Sequence, residues 1–200
     1  MHARKLFPGF PVMADNQPTP LEATISLVDD LCRSNNLPYA VIGGIAATIY
    51  GSARTTIDVD IIVQTQIEAL EGVYEAFTRY FTPLKENPLE FFKTYYVLPL
   101  VHRSLKTKLD VSAALSEFER TALQRTRKLR YGSATATFCS PEDLILFKLV
   151  ANRERDLLDV KDIITRNKDR LDQSYLRAVA KQFSEVERSD VVRNLNRLLG

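Results

Sequence analysis

The chain has 200 residues, 45% of them hydrophobic and 26% charged, and a formal net charge of +2 at pH 7. The length suits one large domain or two small ones that share an interface, and the composition is that of an ordinary soluble globular protein. So small a net charge does not by itself indicate a nucleic-acid or membrane partner. No apolar run approaches the roughly 18 residues of a membrane-spanning helix, so we expect no membrane partner.

The segment before the first predicted helix contains four prolines and a glycine, and it lacks the apolar stretch of a secretory signal. It predicts a flexible leader over residues 1–20, with Met13 as an alternative start of the protein. Cys32 and Cys139 lie far apart in the sequence and suggest neither a disulfide framework nor a metal cluster. These features predict a cytoplasmic protein with reduced thiols.

Hydrophobic periodicity predicts alternating helices and strands up to about residue 140. The first helix has Pro20 in its first turn and ends near Asn35. Gly43 and Gly44 then turn the first strand into a short helix. The predicted elements that follow the first helix are strand 39–42, helix 45–50, strand 57–63, helix 67–80, strands 95–101 and 106–113, and an extended segment over 129–138.

Strand patterns stop at Ser140, and Pro141 with the two acids after it marks a helix start. The helices predicted from there on cover 141–151, 156–167, 173–183 and 185–199. The predicted fold class is therefore α/β (α+β), with a small mixed β-sheet flanked by helices and a C-terminal helical bundle after it. The predicted division is an α/β domain over 21–140 and a helical region over 141–200.

Gly43 and Gly44 stand between a predicted strand and a predicted helix. Two glycines allow a tight turn and let a ligand approach the main chain closely. The free N–H groups of a following helix suit a triphosphate. Many strand-to-helix turns contain glycine without binding anything, so an isolated pair would indicate only a turn.

Asp58 and Asp60 are two residues apart on a predicted strand, so their side chains project from the same face, roughly 7 Å apart at the backbone. Ile57, Val59 and Ile61 are predicted to point the other way, into a core. Two neighbouring acids repel each other and need a compensating charge. The alternative is a strand with one solvated face, but the apolar run after Asp60 predicts a central strand.

A third acid, Asp110, lies between Leu109 and Val111 on another predicted strand. Alone, it would be interpreted as a solvent-facing residue. With the first two acids it makes a set of strand-borne carboxylates that suits a hard, oxygen-seeking ion such as Mg²⁺. Two such ions about 4 Å apart stabilise both the attacking and the leaving oxygen in phosphoryl chemistry.

These features together resemble the polymerase-β nucleotidyltransferase superfamily. The resemblance rests on Gly43-Gly44, a spacer, the segment from Arg54 through Asp58-Val-Asp60, and the later apolar-Asp110-apolar strand. The segments 140–148 and 153–160 are similar to the AbiEii-type branch, many of whose members are toxins of toxin–antitoxin or phage-defence pairs. The resemblance covers about residues 39–164.

The resemblance implies a metal-dependent transfer of a nucleoside monophosphate from an NTP to an acceptor hydroxyl, with release of pyrophosphate, by a catalytic domain over 21–140. Asp58 and Asp60 would bridge two Mg²⁺ ions, with Mn²⁺ as the alternative ion. Asp110 would hold the catalytic ion and help to deprotonate the acceptor. The residues implied to contact the nucleotide are Gly43, Gly44, Ser52, Arg54, Lys148, Asp156 and Asp159.

Some of these assignments have alternatives. Many members of the superfamily have serine after the first motif glycine, where this chain has Gly44, and Ser52 is only a weak substitute. For Lys148 the alternative is an exposed position on a helix. For Asp156 and Asp159 it is a solvated helical face with ion pairs.

The acceptor is not specified by a motif. Residues 120–130 hold five basic side chains and no acid, which suits an RNA backbone, and the resemblance adds a tRNA end as a candidate. A protein hydroxyl and an aminoglycoside are alternatives. A different alternative is an inert binding module, such as one half of a toxin–antitoxin pair with its cognate antitoxin. The aromatic residues expected to be core rather than a base-stacking platform are Phe91, Phe92, Tyr95 and Tyr96.

Overall fold

The computed structural model describes residues 17–200. Most of the predicted leader, residues 1–16 with the alternative start at Met13, lies outside the described residues. The helices are α1 (Pro20–Ser34), α2 (Gly43–Ile49), α3 (Leu70–Thr78), α4 (Pro88–Tyr95), α5 (Glu117–Gln124), α6 (Pro141–Ala151), α7 (Glu154–Asn167), α8 (Gln173–Ser184) and α9 (Ser189–Leu199). The strands are β1 (Tyr39–Ile42), β2 (Asp58–Gln64), β3 (Phe81–Pro83), β4 (Val97–His102), β5 (Lys108–Ala114), β6 (Arg127–Tyr131) and β7 (Ala134–Phe138).

In this range the seven strands form one mixed sheet in the order β3-β4-β5-β2-β1-β7-β6. β2 runs parallel to β5 and β1 runs parallel to β7, whereas the other neighbouring pairs are antiparallel. Helices flank the sheet, and helices alone follow β7. The predicted mixed α/β architecture is confirmed.

The middle of the sheet is packed on one face and open on the other. In β2, Val59 and Ile61 are fully buried, and in β5 the same is true of Leu109 and Val111. The residues between them are only half-buried. Since side chains alternate along a strand, the buried residues face the core and the acids between them face the opposite side.

Helix α6 joins α7 through a tight elbow that matters for the site. Ser140 caps the start of α6 by accepting a hydrogen bond from the backbone N–H of Asp143, which satisfies a free donor of the first turn. Asn152 ends the helix in a left-handed conformation, with φ 51°. Asparagine tolerates this conformation better than most residues, so α7 begins two residues later and packs beside α6.

The structure corrects three expectations drawn from the sequence. The extended segment over 129–138 is a β6–β7 hairpin, because Gly132 turns the chain with φ +59°. Helix α5 was not predicted, although Ser116 and Glu119 form a capping box at its start. Ile57 precedes β2 and is 71% exposed rather than part of the core.

No helix in residues 17–200 combines the length and the apolar character that a membrane crossing requires.

Candidate active site

Three carboxylates lie on the open face of two neighbouring parallel strands. The pairing of β2 with β5 sets Asp60 directly beside Asp110, and Asp58 beside Lys108. All three acids line one cavity of about 310 Å³. The period-two argument for Asp58 and Asp60 therefore holds, and strand pairing brings Asp110 to them from 50 residues further along the chain.

The two glycines are pressed against this acid cluster. Gly43 is the first residue of α2 and has φ +66°. The backbone N–H of Gly44 donates a hydrogen bond to Asp60 Oδ2 over 3.4 Å. A side chain at Gly43 would put its Cβ 2.0 Å from the same Oδ2 atom. The two glycines thus allow the main chain to approach the Asp60 carboxylate closely. Helix α2 begins at Gly43 itself rather than after a separate turn.

Gly43→Ala is expected to lower both stability and transfer activity. The left-handed backbone alone costs about 1–2 kcal/mol for a residue with a Cβ, and the methyl group also displaces the Asp60 carboxylate. Urea unfolding and a nucleotide-transfer assay measure the two effects. Gly72→Ala in α3 is the matched control, because no atom lies within 4 Å of its added Cβ, and it should stabilise the protein by about 0.5–1 kcal/mol. Wild-type behaviour of Gly43→Ala would contradict the close approach.

The electrostatics of the acid cluster favour a bound cation. Burial raises the pKa of Asp60, and the charges of Asp110 and Asp58 raise it further. Burial and the Asp58 charge likewise raise the pKa of Asp110. Oδ1 of Asp58 is buried and accepts no hydrogen bond within the described residues. Each of these costs is relieved by a cation held between the carboxylates.

The donor set fits a divalent metal ion even though it is not preassembled. In the part of the chain that the structure describes, no three Asp, Glu, His or Cys side chains are arranged as a ready-made metal site. Oxygen donors from three carboxylates are nevertheless what Mg²⁺ prefers, with water completing its shell. Asp58, Asp60 and Asp110 are therefore the residues that would hold such an ion.

Lys148 is neither exposed nor free. It is 3% exposed, and its Nζ donates hydrogen bonds to Asp156 Oδ1 over 3.2 Å and to Asp159 Oδ2 over 2.6 Å. Both carboxylates are buried as well, so the alternative of a solvated helical face is wrong for them. The ammonium group ties α6 to α7 and at the same time lines the cavity.

Asp159 is the hub of this network. It accepts hydrogen bonds from Ser52 Oγ over 2.6 Å and from Arg54 over 3.2 Å, besides the bond from Lys148. Burial alone would raise the pKa of Asp159, but the hydrogen bonds from Lys148, Ser52 and Arg54 outweigh it and hold the pKa below its usual value. The carboxylate stays ionised and orients two cationic side chains toward the cavity.

Eight of the ten residues expected at the site line the cavity, namely Gly43, Gly44, Arg54, Asp58, Asp60, Asp110, Lys148 and Asp156. The other two, Ser52 and Asp159, do not line it, and they are buried and hydrogen-bonded to each other. Asp159 accepts hydrogen bonds from the lining residues Arg54 and Lys148, and Ser52 reaches them only through Asp159. Nucleotide contact by each of the ten remains a prediction.

Several lining residues were missed in the sequence. Ser112 follows Asp110 by two residues and thus shares its strand face. Phe147 lies on α6 next to Lys148, with Leu144 and Ala151 at helical spacing on the same side. Both spacings were visible in the sequence. The remaining lining residues are Ile42, Thr56, Val97, Arg153 and Arg155.

The basic stretch 120–130 is not a continuous free surface. The Arg125 side chain contacts the buried carboxylates of Glu142 and Asp143, at 3.7 Å and 3.2 Å, and lies 3.8 Å from the ring centroid of Tyr175. Its positive charge is therefore paired with acids of the protein itself. Arg127, Lys128 and Arg130 lie on β6, the outermost strand, four positions from β5 in the sheet, or about 19 Å at the usual strand spacing.

Residues 20–197 match the sequence model of a family described as "Nucleotidyltransferase of unknown function (DUF6036)". The fold is similar to that of an antigenic nucleotidyltransferase-like protein from Paracoccidioides brasiliensis, with a TM-score of 0.53, 18% identity, and 88% of this chain and 92% of that chain covered. It is also similar to the antibiotic-resistance factor ANT(2'')-Ia, with a TM-score of 0.54, 15% identity, and 85% and 95% covered. No curated protein matches the chain. At these identities the structural matches show the fold alone.

Proposed function

The chain belongs to the nucleotidyltransferase family DUF6036, and on this premise we propose that it transfers a nucleoside monophosphate from an NTP to an acceptor hydroxyl. The observation that carries the proposal is the set of three carboxylates on adjacent strands at one cavity. Helix α6 and the start of α7, which also line that cavity, carry Lys148 and two arginines. Acids and cations at one cavity suit a metal–triphosphate complex.

In the proposed reaction the acceptor oxygen attacks the α-phosphorus of the NTP. A new P–O bond forms, and the bond from the α-phosphorus to the oxygen that bridges to the β-phosphorus breaks. Pyrophosphate leaves with the bonding electron pair. The acceptor proton passes to the Asp110 carboxylate, which acts as the general base.

Asp58, Asp60 and Asp110 would hold two Mg²⁺ ions, which supply charge stabilisation to the attacking and leaving oxygens when bound. The backbone N–H groups at Gly43 and Gly44 and the cations Arg54 and Lys148 would bind the triphosphate. Arg153 and Arg155 at the elbow between α6 and α7 line the same cavity and extend this cationic surface. Asp159, itself held by Ser52, positions Arg54 and Lys148.

The test of the function is Mg²⁺-dependent incorporation of label from each of the four NTPs, with total RNA as the first acceptor. We expect incorporation from at least one NTP by the wild-type protein and its loss on chelation of the metal. Asp169→Asn, a change on an exposed residue after α7, is the matched control for the acidic variants. A protein that binds no NTP in the presence of Mg²⁺ would support the alternative of an inert binding module.

Asp110→Asn is expected to lower kcat strongly and to change NTP affinity little. The proton-accepting role contributes about 100- to 10,000-fold in rate. The nucleotide is still bound by Asp58 and Asp60 and by the cationic surface that includes Arg54 and Lys148. Single-turnover rates at saturating NTP, together with the Kd from equilibrium binding, separate the two effects. If affinity collapsed while the saturated rate survived, Asp110 would be a nucleotide-binding residue instead.

The finer assignments stay predictions from the sequence. These are membership of the AbiEii-type branch, a toxin role with a cognate antitoxin, and a tRNA acceptor. The positive charges near Asp110 disfavour the alternative of a cationic aminoglycoside as the acceptor.

A further inference from the structure

A row of residues leads across the sheet from the acid cluster to its β3 edge. Asp60 pairs with Asp110, and Asp110 pairs with Pro99 of β4. The backbone N–H of Leu84 donates to the carbonyl of Pro99 over 2.9 Å, which continues the pairing beyond β3. Lys85 therefore begins the segment that leaves the sheet after β3, and β3 lies two strand positions from β5, the strand of Asp110. In the sheet order, β4 and β3 lie on the opposite side of β5 from β2, β1, β7 and β6.

Two lysines flank Asp110 on this side. Lys108 precedes Asp110 by two residues on β5, is exposed, and shares its strand face. Lys85 follows Leu84, whose N–H bonds to the Pro99 that pairs with Asp110, and the charges of Lys108 and Lys85 both oppose the rise in the pKa of Asp110. Glu86 and Glu90 lie on the same segment, but they are not among the charges that act on Asp110.

An aromatic pair adjoins Lys85. The rings of Phe91 and Tyr95 on α4 are 4.6 Å apart between centroids, and Lys85 Nζ lies 5.2 Å from the centre of the Phe91 ring. Tyr95 is 63% exposed and Tyr96 is 37% exposed, so the expectation that these tyrosines are core residues is wrong. Of the four aromatics expected in the core, Phe92 is fully buried. Helix α4 turns Phe92 inward and leaves the Tyr95 ring toward solvent.

We propose that Lys85, Phe91, Tyr95 and Lys108, the acceptor flank, bind the end of a single nucleic-acid strand and present its terminal hydroxyl to Asp110. The proposal rests on the proposed function and names its acceptor. An exposed aromatic ring beside cations, here Tyr95 backed by the half-buried Phe91, is a surface on which unpaired bases stack while the backbone phosphates are neutralised. A cationic aminoglycoside would meet two like charges next to the attacked position. Strand β6, on the far side of the sheet, is not part of this surface.

Binding of fluorescein-labelled oligouridylate of about 12 nucleotides, a length within the range of single-strand sites, tests the acceptor flank without any turnover. Fluorescence anisotropy is measured over a salt series on the full-length protein. Tyr95→Ala is expected to weaken binding about 5- to 100-fold, the effect of losing one base–aromatic stack. Lys85→Gln and Lys108→Gln should each reduce the salt slope by about 0.7.

Matched control variants are Tyr80→Ala, which removes another exposed tyrosine, and Lys128→Gln on β6. Both should bind as the wild type does. Unchanged binding by Tyr95→Ala and by both lysine variants would overturn the proposal, and weakened binding by Lys128→Gln alone would move the acceptor to the β6 edge. A deoxythymidylate strand of the same length distinguishes RNA from DNA.

Binding of ATP with Mg²⁺ to the same variants separates this failure from failure of the proposed function. The acceptor-flank variants should bind ATP as the wild type does, since none of the four residues lines the nucleotide cavity. If the flank variants bound both ATP and the oligonucleotide as the wild type does, only the acceptor proposal would be wrong. Absence of ATP binding in the wild type would remove the proposed function.

Discussion

Asp60→Asn is expected to reduce the rate of nucleotide transfer about 1,000-fold without loss of stability at neutral pH. A rate loss of this size corresponds to ~4 kcal/mol of transition-state stabilisation, which is what a bound metal ion supplies through its ligands. The carboxylate it removes is one that the folded protein holds at a cost, because Asp60 is buried beside two other acids. The variant should therefore lose function and keep its fold.

The pH dependence of stability gives a readout that is independent of turnover. The pKa of Asp60 is raised above its ordinary value of 3.8, so the folded state holds the proton more tightly than the unfolded state. The associated stabilisation is present at acid pH and is lost as the pH rises from 3.8 through the raised pKa. Asn does not titrate, so Asp60→Asn should gain stability relative to the wild type across this window. Urea unfolding in metal-free buffer measures the difference.

Added Mg²⁺ should reverse this difference in stability between Asp60→Asn and the wild type. An ion that binds only the folded state raises stability by RT ln(1 + [L]/Kd), about 1.4 kcal/mol at ten times Kd. The wild type and the control Asp169→Asn should gain this stability, and Asp60→Asn should gain less. Equal Mg²⁺ stabilisation of all three proteins, with normal transfer by Asp60→Asn, would show that the metal assignment is wrong.

Lys148→Met is expected to lower the free energy of unfolding by about 3–5 kcal/mol and to abolish transfer. Removal of one partner from a buried ion pair leaves an uncompensated charge in the protein interior. Here two buried carboxylates, Asp156 and Asp159, lose their shared ammonium partner, and each keeps only a more exposed arginine as its cation. Thermal and urea unfolding measure the loss. Lys161→Met, on the exposed side of α7, is the control and should change stability by less than about 0.5 kcal/mol.

A combined variant separates the structural from the functional role of Lys148. Asp156→Asn and Asp159→Asn, added to Lys148→Met, remove the charges of the two carboxylates that Lys148 paired with, and should restore most of the stability. Transfer should stay low, because the cation facing the cavity is still missing. If the triple variant regained both stability and activity, Lys148 would serve only to hold α6 and α7 together.

The Asp58–Asp60 pair and the glycine turn were predictable from the sequence because their geometry is local or periodic, whereas Asp110 joins them only through the pairing of β2 with β5. Asp58 and Asp60 share a strand face through a period of two, and the glycine pair marks a turn whose need for small residues is visible in one dimension. The boundaries of β1, α1 and α6 were predicted to within a residue or two for the same reason. These features depend little on how distant segments pack.

The surroundings of the cluster depend on long-range packing, and the sequence did not predict them. Spacing cannot tell that α7 folds back on α6 and buries Lys148 against Asp156 and Asp159. Nor can charge counting tell that Arg125 is neutralised by acids of α6, or that α4 turns Tyr95 outward. A run of like charges or aromatics acquires a role only from the partners that the fold brings to it.

The position of the acids in the sheet has a consequence for how such a chain can diverge. Asp58, Asp60 and Asp110 stand on β2 and β5, whose other faces are fully buried, so substitutions along these two strands disturb either the chemistry or the core. The segment from β3 through α4 lies at the margin of the sheet, and much of its surface is exposed. Insertions and replacements can accumulate at that margin while the centre is held constant. Sequence drift would then change which hydroxyl is modified long before it changes the phosphorus chemistry.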